Sequence, residues 1–115
     1  MQITPVLPSQ NIVRDIDWYK KHLGFDLVGN DKMYAILKRE NLRIHLQWHA
    51  DTPDDPLLGG SVIKIFVDDI HPFYNELLER QTIVSSQLKM STSWATNEFG
   101  FYDLNKNAIF IVQDL

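Results

Sequence analysis

The chain has 115 residues, 44% hydrophobic and 23% charged, which suits one folded domain with a real core and neither a disordered nor a membrane-embedded protein. Its formal net charge of −4, without a Lys/Arg cluster, disfavours a nucleic-acid-binding face, and no run approaches the roughly 18 apolar residues of a spanning helix, so no nucleic acid or membrane partner is expected. The lack of cysteine excludes disulfides, thiolate metal sites and cysteine nucleophiles, and fits a cytoplasmic location.

The opening MQITPVLPSQ lacks a basic patch followed by an apolar run and does not read as a signal peptide. Within it, Ile3 to Leu7 alternate into a short strand ending at Pro8. Asn11 then has the character of a helix N-cap, with Ile12, Ile16, Tyr19 and Leu23 on one face and Gly24 as a left-handed C-cap. Strands follow at Phe25 to Val28, Met33 to Lys38 and Leu42 to Trp48. The order then repeats. Val62 to Val67 reads as a strand and Asp69 as a cap, with Ile70, Phe73, Leu77 and Leu78 as the helical stripe; Pro72 is tolerated in the first turn. Short strands are expected around Ile83 to Ser86, Phe99 to Asp103 and Ala108 to Val112. The pattern predicts an α+β fold of two βαβββ modules, residues 1–50 and 61–115. A linker at 51–60 carries Pro53, Pro56 and Gly59-Gly60.

Strand parity separates two faces. Leu42, Ile44, Leu46 and Trp48 point to the helices, and Arg43, His45 and Gln47 away from them. In the second module Ile63, Ile65, Ile109 and Ile111 take the helix side, leaving Lys64, Phe66 and Phe110 on the open side. An open face that mixes Arg43, His45, Lys64 and Phe66 reads as the wall of a pocket enclosed by a curved mixed sheet.

The order PVLPS, N-I-x4-DWYKKHLGF, MYAILKREN, LRIHL, VIKIFVDDI and WATNEF before Asp103 resembles the bleomycin-resistance proteins of the glyoxalase and extradiol-dioxygenase (vicinal oxygen chelate) superfamily, over nearly the whole chain. The departure is the last turn, Asp103-Leu104-Asn105-Lys106-Asn107, where the family has Asp-Pro-Asp-Gly-Asn. If the turn keeps its geometry, Lys106 is left-handed at a cost of about 1 kcal/mol. Metal-dependent members of the superfamily carry four ligands at positions that match Thr4, His45, Val62 and Phe110. One imidazole is too few for a catalytic metal, so no cofactor is expected. The resemblance implies a homodimer that sequesters a small aromatic or cationic molecule of the bleomycin type in grooves between subunits, without chemistry. A glyoxalase- or dioxygenase-type lyase or oxidoreductase with a non-standard metal site stays open as the alternative, and so does a stand-alone interaction module whose own side chains fill its pocket.

The candidate ligand-contacting residues are Tyr34, His45, Phe66, Trp94 and Phe110. For His45 the hydrogen-bonded wall residue is the favoured reading, because isolated histidines seldom act alone. Trp94 lies in a polar stretch where exposing a large aromatic is costly, which suits a pocket or interface. Tyr19 and Trp48 read as core, and Trp18 as interface or exposed. The acidic run Asp51 to Asp55 reads as a solvated loop, of interest only toward a cationic ligand. Asp15 with Asp17, and Glu76 with Glu79, read as helix-surface carboxylates without partners.

Overall fold

The computed structural model describes residues 1–57 and 60–115. Gly59, half of the glycine pair expected to form the linker, lies with Leu58 outside them. Strand β1 (Val6–Ser9) leads into helix α1 (Ile12–Leu23), then β2 (Asp26–Asn30), β3 (Tyr34–Arg39) and β4 (Leu42–Trp48). The second module runs β5 (Val62–Phe66), α2 (Ile70–Glu79), β6 (Thr96–Tyr102) and β7 (Ala108–Asp114). The sheets are β1-β4-β3-β2 and β5-β7-β6; β1 lies parallel to β4, and β5 to β7. No helix among the described residues is long and apolar enough to cross a membrane.

Local chemistry sets most of these boundaries as the sequence suggests. The Asn11 side chain accepts a 3.0 Å hydrogen bond from the Arg14 amide, and Asp69 accepts one from His71, each satisfying a helix donor that lacks an internal partner. Gly24 ends α1 at φ +68° and donates to Lys20, the left-handed cap that glycine adopts without strain. Three differences have physical reasons. β1 begins at Val6 and runs through Pro8, because it is an edge strand where a missing N–H costs no ladder bond. No strand forms at Ile83 to Ser86: Ile83 is drawn into the core, and Ser85–Gln87 makes a 3₁₀ turn. A single bridge, Lys89 with Glu98, then lies against β6, which starts earlier than expected at Thr96. The second module therefore has three strands, not four.

Both helices and both sheets share one core. A single apolar cluster joins Ala35, Leu37, Ile44 and Leu46 of the first sheet to Phe99, Phe101, Ile109 and Ile111 of the second, through Tyr19, Leu23, Ile70 and Leu77 of the helices. Each sheet therefore presents its helix side to the common interior and turns its other face outward. Trp18 belongs to this interior, stacking at a tilt on Phe101 with ring centroids 6.4 Å apart.

Polar contacts lock the modules together. Asp15 is 1% exposed rather than a surface carboxylate; it accepts from Ser9, Arg14 and the Asn105 side chain. Asp103 accepts from the Tyr19 hydroxyl at 2.6 Å, from the amides of Asn105 and Asn107, and from the Asn107 side chain. Burial, reinforced by Asp103, pushes the Tyr19 phenol well above its ordinary ionisation range. Lys106 sits at φ +64°, so the turn keeps its left-handed geometry without glycine. Glu76, too, has partners: Arg39 of β3 grips it through two bonds of 2.7 Å and Arg80 through one of 2.9 Å. Those bonds, that of Arg39 foremost, hold its carboxyl below the usual range.

Candidate functional site

The outward faces carry the chemistry that the core does not use. On the first sheet, Tyr34 and His45 stand on neighbouring strands, and the phenol and Nδ1 share a hydrogen bond of 2.7 Å. The rings meet edge to face with centroids 5.3 Å apart. This bond gives His45 a polar partner in a half-buried wall, as expected of an isolated histidine.

On the second sheet, Phe66 of β5 is 59% exposed and Phe110 of β7 half-buried. Phe110 pairs across the ladder with Gly100, and its ring lies against that glycine's backbone. A Cβ at position 100 would stand 2.5 Å from the ring, so only glycine lets the aromatic lie flat there. Beside it opens a cavity of about 510 Å³, bordered by Gln87, Lys89, Gly100, Tyr102, Ala108 and Phe110. Substituting Gly100→Ala is expected to lift Phe110 from the strand and to cost about 1–3 kcal/mol, read as a lower urea midpoint. An unchanged midpoint would mean the ring has another place to lie.

Trp94, 63% exposed, stands at the edge of the same face, where its indole Nε1 donates to Glu98. The residues expected to line one pocket thus divide between two outward faces of the chain: Tyr34 and His45 on one, Phe66, Trp94 and Phe110 on the other. Within one copy a cavity of about 360 Å³ where the two sheets meet joins Arg43 to Lys64 and Phe66, three of the four residues expected on one pocket wall, and its lining does not include Tyr34, His45, Trp94 or Phe110. Sequence reasoning missed Glu98, whose place two residues after Thr96 on an alternating strand was the available clue. The acidic run expected to meet a cation is partly engaged, since Asp55 accepts from His49 and from the Ala50 amide.

The positions that match the superfamily's metal ligands do not make a metal centre. His45 is already bonded to Tyr34; the register sets Val6 opposite it and Lys64 opposite Phe110. Thr4, Val62 and Phe110 supply no imidazole or carboxylate, and no group of three or more His, Cys, Asp or Glu among the described residues could hold an ion.

No family model matches the chain. A bleomycin resistance protein of Geobacillus stearothermophilus is 25% identical over 129 aligned positions, covering 100% of this chain and 98% of the relative. A Staphylococcus aureus protein of the same name aligns equally. Among solved structures, a bleomycin resistance determinant encoded on the transposon Tn5 superposes with a TM-score of 0.82 at 23% identity, over 99% of this chain and 98% of that one. The chain has the bleomycin-resistance fold. A bleomycin-binding protein complexed with bleomycin gives a TM-score of 0.80 at 24% identity, over 100% of this chain and 99% of that one. Superposition over nearly the whole of both chains covers the two modules read from the sequence together.

Proposed function

We propose that the chain is a non-catalytic binder that sequesters a flat, cationic molecule of the bleomycin type in the cytoplasm. The observation that carries this reading is the pair of outward faces, with Tyr34 and His45 on one and Phe66, Trp94 and Phe110 on the other, both backed by the shared apolar core. Aromatic rings left in water on a rigid sheet suit stacking against a planar ligand, because the ring positions are fixed before binding and little freedom is lost. Similarity to proteins named for bleomycin resistance, and to one solved with bleomycin bound, supports the ligand class. Two copies would each supply one of the two faces, so that each groove joins Tyr34 and His45 of one copy to Phe66, Trp94 and Phe110 of the other.

The test is a titration with metal-free bleomycin followed by tryptophan fluorescence, with sedimentation to establish the number of chains. A saturable change in emission from a two-chain species is expected. No change at saturating drug, together with unaltered drug sensitivity in cells expressing the protein, overturns the drug-binding reading. A monomer at working concentration overturns the shared groove.

A further inference from the structure

Glu98 is unusual for its position. It stands on the outward face of β6, yet it is only 6% exposed. An enclosed carboxyl group ordinarily has a cation against it, because burying a charge without a partner is costly. Lys89 faces it across the isolated bridge, but no ion pair joins them; the cation stops short of contact. What holds Glu98 is a pair of neutral donors on one oxygen. Oε1 accepts from the Trp94 indole and, at 2.8 Å, from the Thr96 hydroxyl.

The other oxygen is uncommitted. Oε2 accepts from no described residue, and it is not among the side-chain atoms sealed from solvent without a partner. Toward the middle of β7 its surroundings are apolar, with Val112, its ladder partner, 2% exposed and Phe110 one step along the same face, while Asp114 lies one step the other way. A hydrogen bond made in so water-poor a setting is stronger than one made on open surface. The loop that carries Trp94 is itself fixed. Thr92 and Thr96 share a hydroxyl–hydroxyl bond of 2.7 Å, and the Thr92 amide donates to the Thr96 carbonyl at 2.8 Å.

Resting on the reading that Trp94 stacks the ligand, we infer that Glu98 is a second element of the same site, anchoring a cationic N–H group of the ligand through Oε2 while Oε1 sets the plane of the indole. The ligand class this selects is a flat heteroaromatic ring bearing a protonated amine or amidine. The ring lies on Trp94 and the nitrogen reaches the carboxyl beside it. One side chain thus orients the platform and reads the charge.

The experiment uses two small probes alongside bleomycin. 4-Aminoquinoline is protonated at neutral pH and carries N–H donors; quinoline is neutral and carries none. Binding is followed by the Trp94 indole N–H resonance, assigned by its loss in Trp94→Phe. The Glu98→Gln variant keeps an acceptor for the indole and removes the charge. 4-Aminoquinoline is expected to bind this variant on the order of 10- to 100-fold more weakly than the native chain, and quinoline to bind both alike. Equal affinity of 4-aminoquinoline for both proteins, with the indole resonance unmoved, overturns the anchor. So does its failure to bind the native chain at millimolar concentration. If Glu98→Gln does not fold, the native chain's preference for 4-aminoquinoline over quinoline decides: tenfold or more supports the anchor, and none overturns it. Failure of metal-free bleomycin alone, with the probe difference intact, removes the drug reading and leaves the anchor standing.

Discussion

Replacing Asp103 by alanine is expected to lower stability by about 3–5 kcal/mol, read as a fall in the urea midpoint at unchanged slope. The side chain is 6% exposed and accepts four hydrogen bonds, from the Tyr19 hydroxyl, the amides of Asn105 and Asn107, and the Asn107 side chain. Alanine leaves the Tyr19 hydroxyl and the two backbone amides without a partner in an enclosed place, and the Asn107 side chain with the Pro8 carbonyl alone, which costs more than the bonds themselves are worth. It also loosens the turn that holds Asn105 against Asp15 and Gln10, so the contact between modules weakens with it. Tyr19→Phe removes one donor and its bond together, leaving Asp103 three partners, and is expected to cost about 1–2 kcal/mol. If Asp103→Ala unfolds at the native midpoint, the network does not hold the modules.

Trp94→Ala is expected to weaken bleomycin binding by about 2 kcal/mol or more, on the order of 30-fold, measured by calorimetry because the variant loses the indole expected to report on the ligand and keeps only Trp18 and Trp48. Its stability, read from the urea midpoint, should fall only modestly, by about 1 kcal/mol, because a side chain 63% exposed contributes little to the core while the enclosed Glu98 loses one of its two donors. The contrast with Asp103 is the informative part. Asp103 is expected to carry stability and no ligand contact, and Trp94 ligand contact and little stability. Full affinity in Trp94→Ala would move the stacking platform elsewhere.

The architecture was legible where local rules act alone. Asn11, Gly24 and Asp69 mark helix ends by side-chain chemistry that needs no distant partner, and parity assigns Ile44, Leu46, Ile109 and Ile111 to the core side. The missing strand at Ile83 to Ser86 was not legible, because the Ile-Val pair has the same composition whether it pairs with a neighbour or drops Ile83 inward. Asp15 and Glu76 read as surface charges because their spacing on the helices says nothing of Asn105 or Arg39, many residues away. The candidate site was half legible. Parity put Tyr34, His45, Phe66 and Phe110 on the sides away from the helices, where they stand, and the polar local sequence left Trp94 in the open. That the two sets look outward in different directions depends on how the modules pack, which no single strand records.

The outward orientation of both faces also bears on how such a chain changes over time. Along each strand, alternate residues answer to separate demands: Ile109 and Ile111 to folding and, on the proposed reading, Phe110 to whatever is bound. A substitution on the recognising side therefore leaves the packed side almost undisturbed, so the ligand preference can drift without first surrendering stability. Gly100 is the exception, since there the two demands meet in one residue, and it marks where that freedom ends.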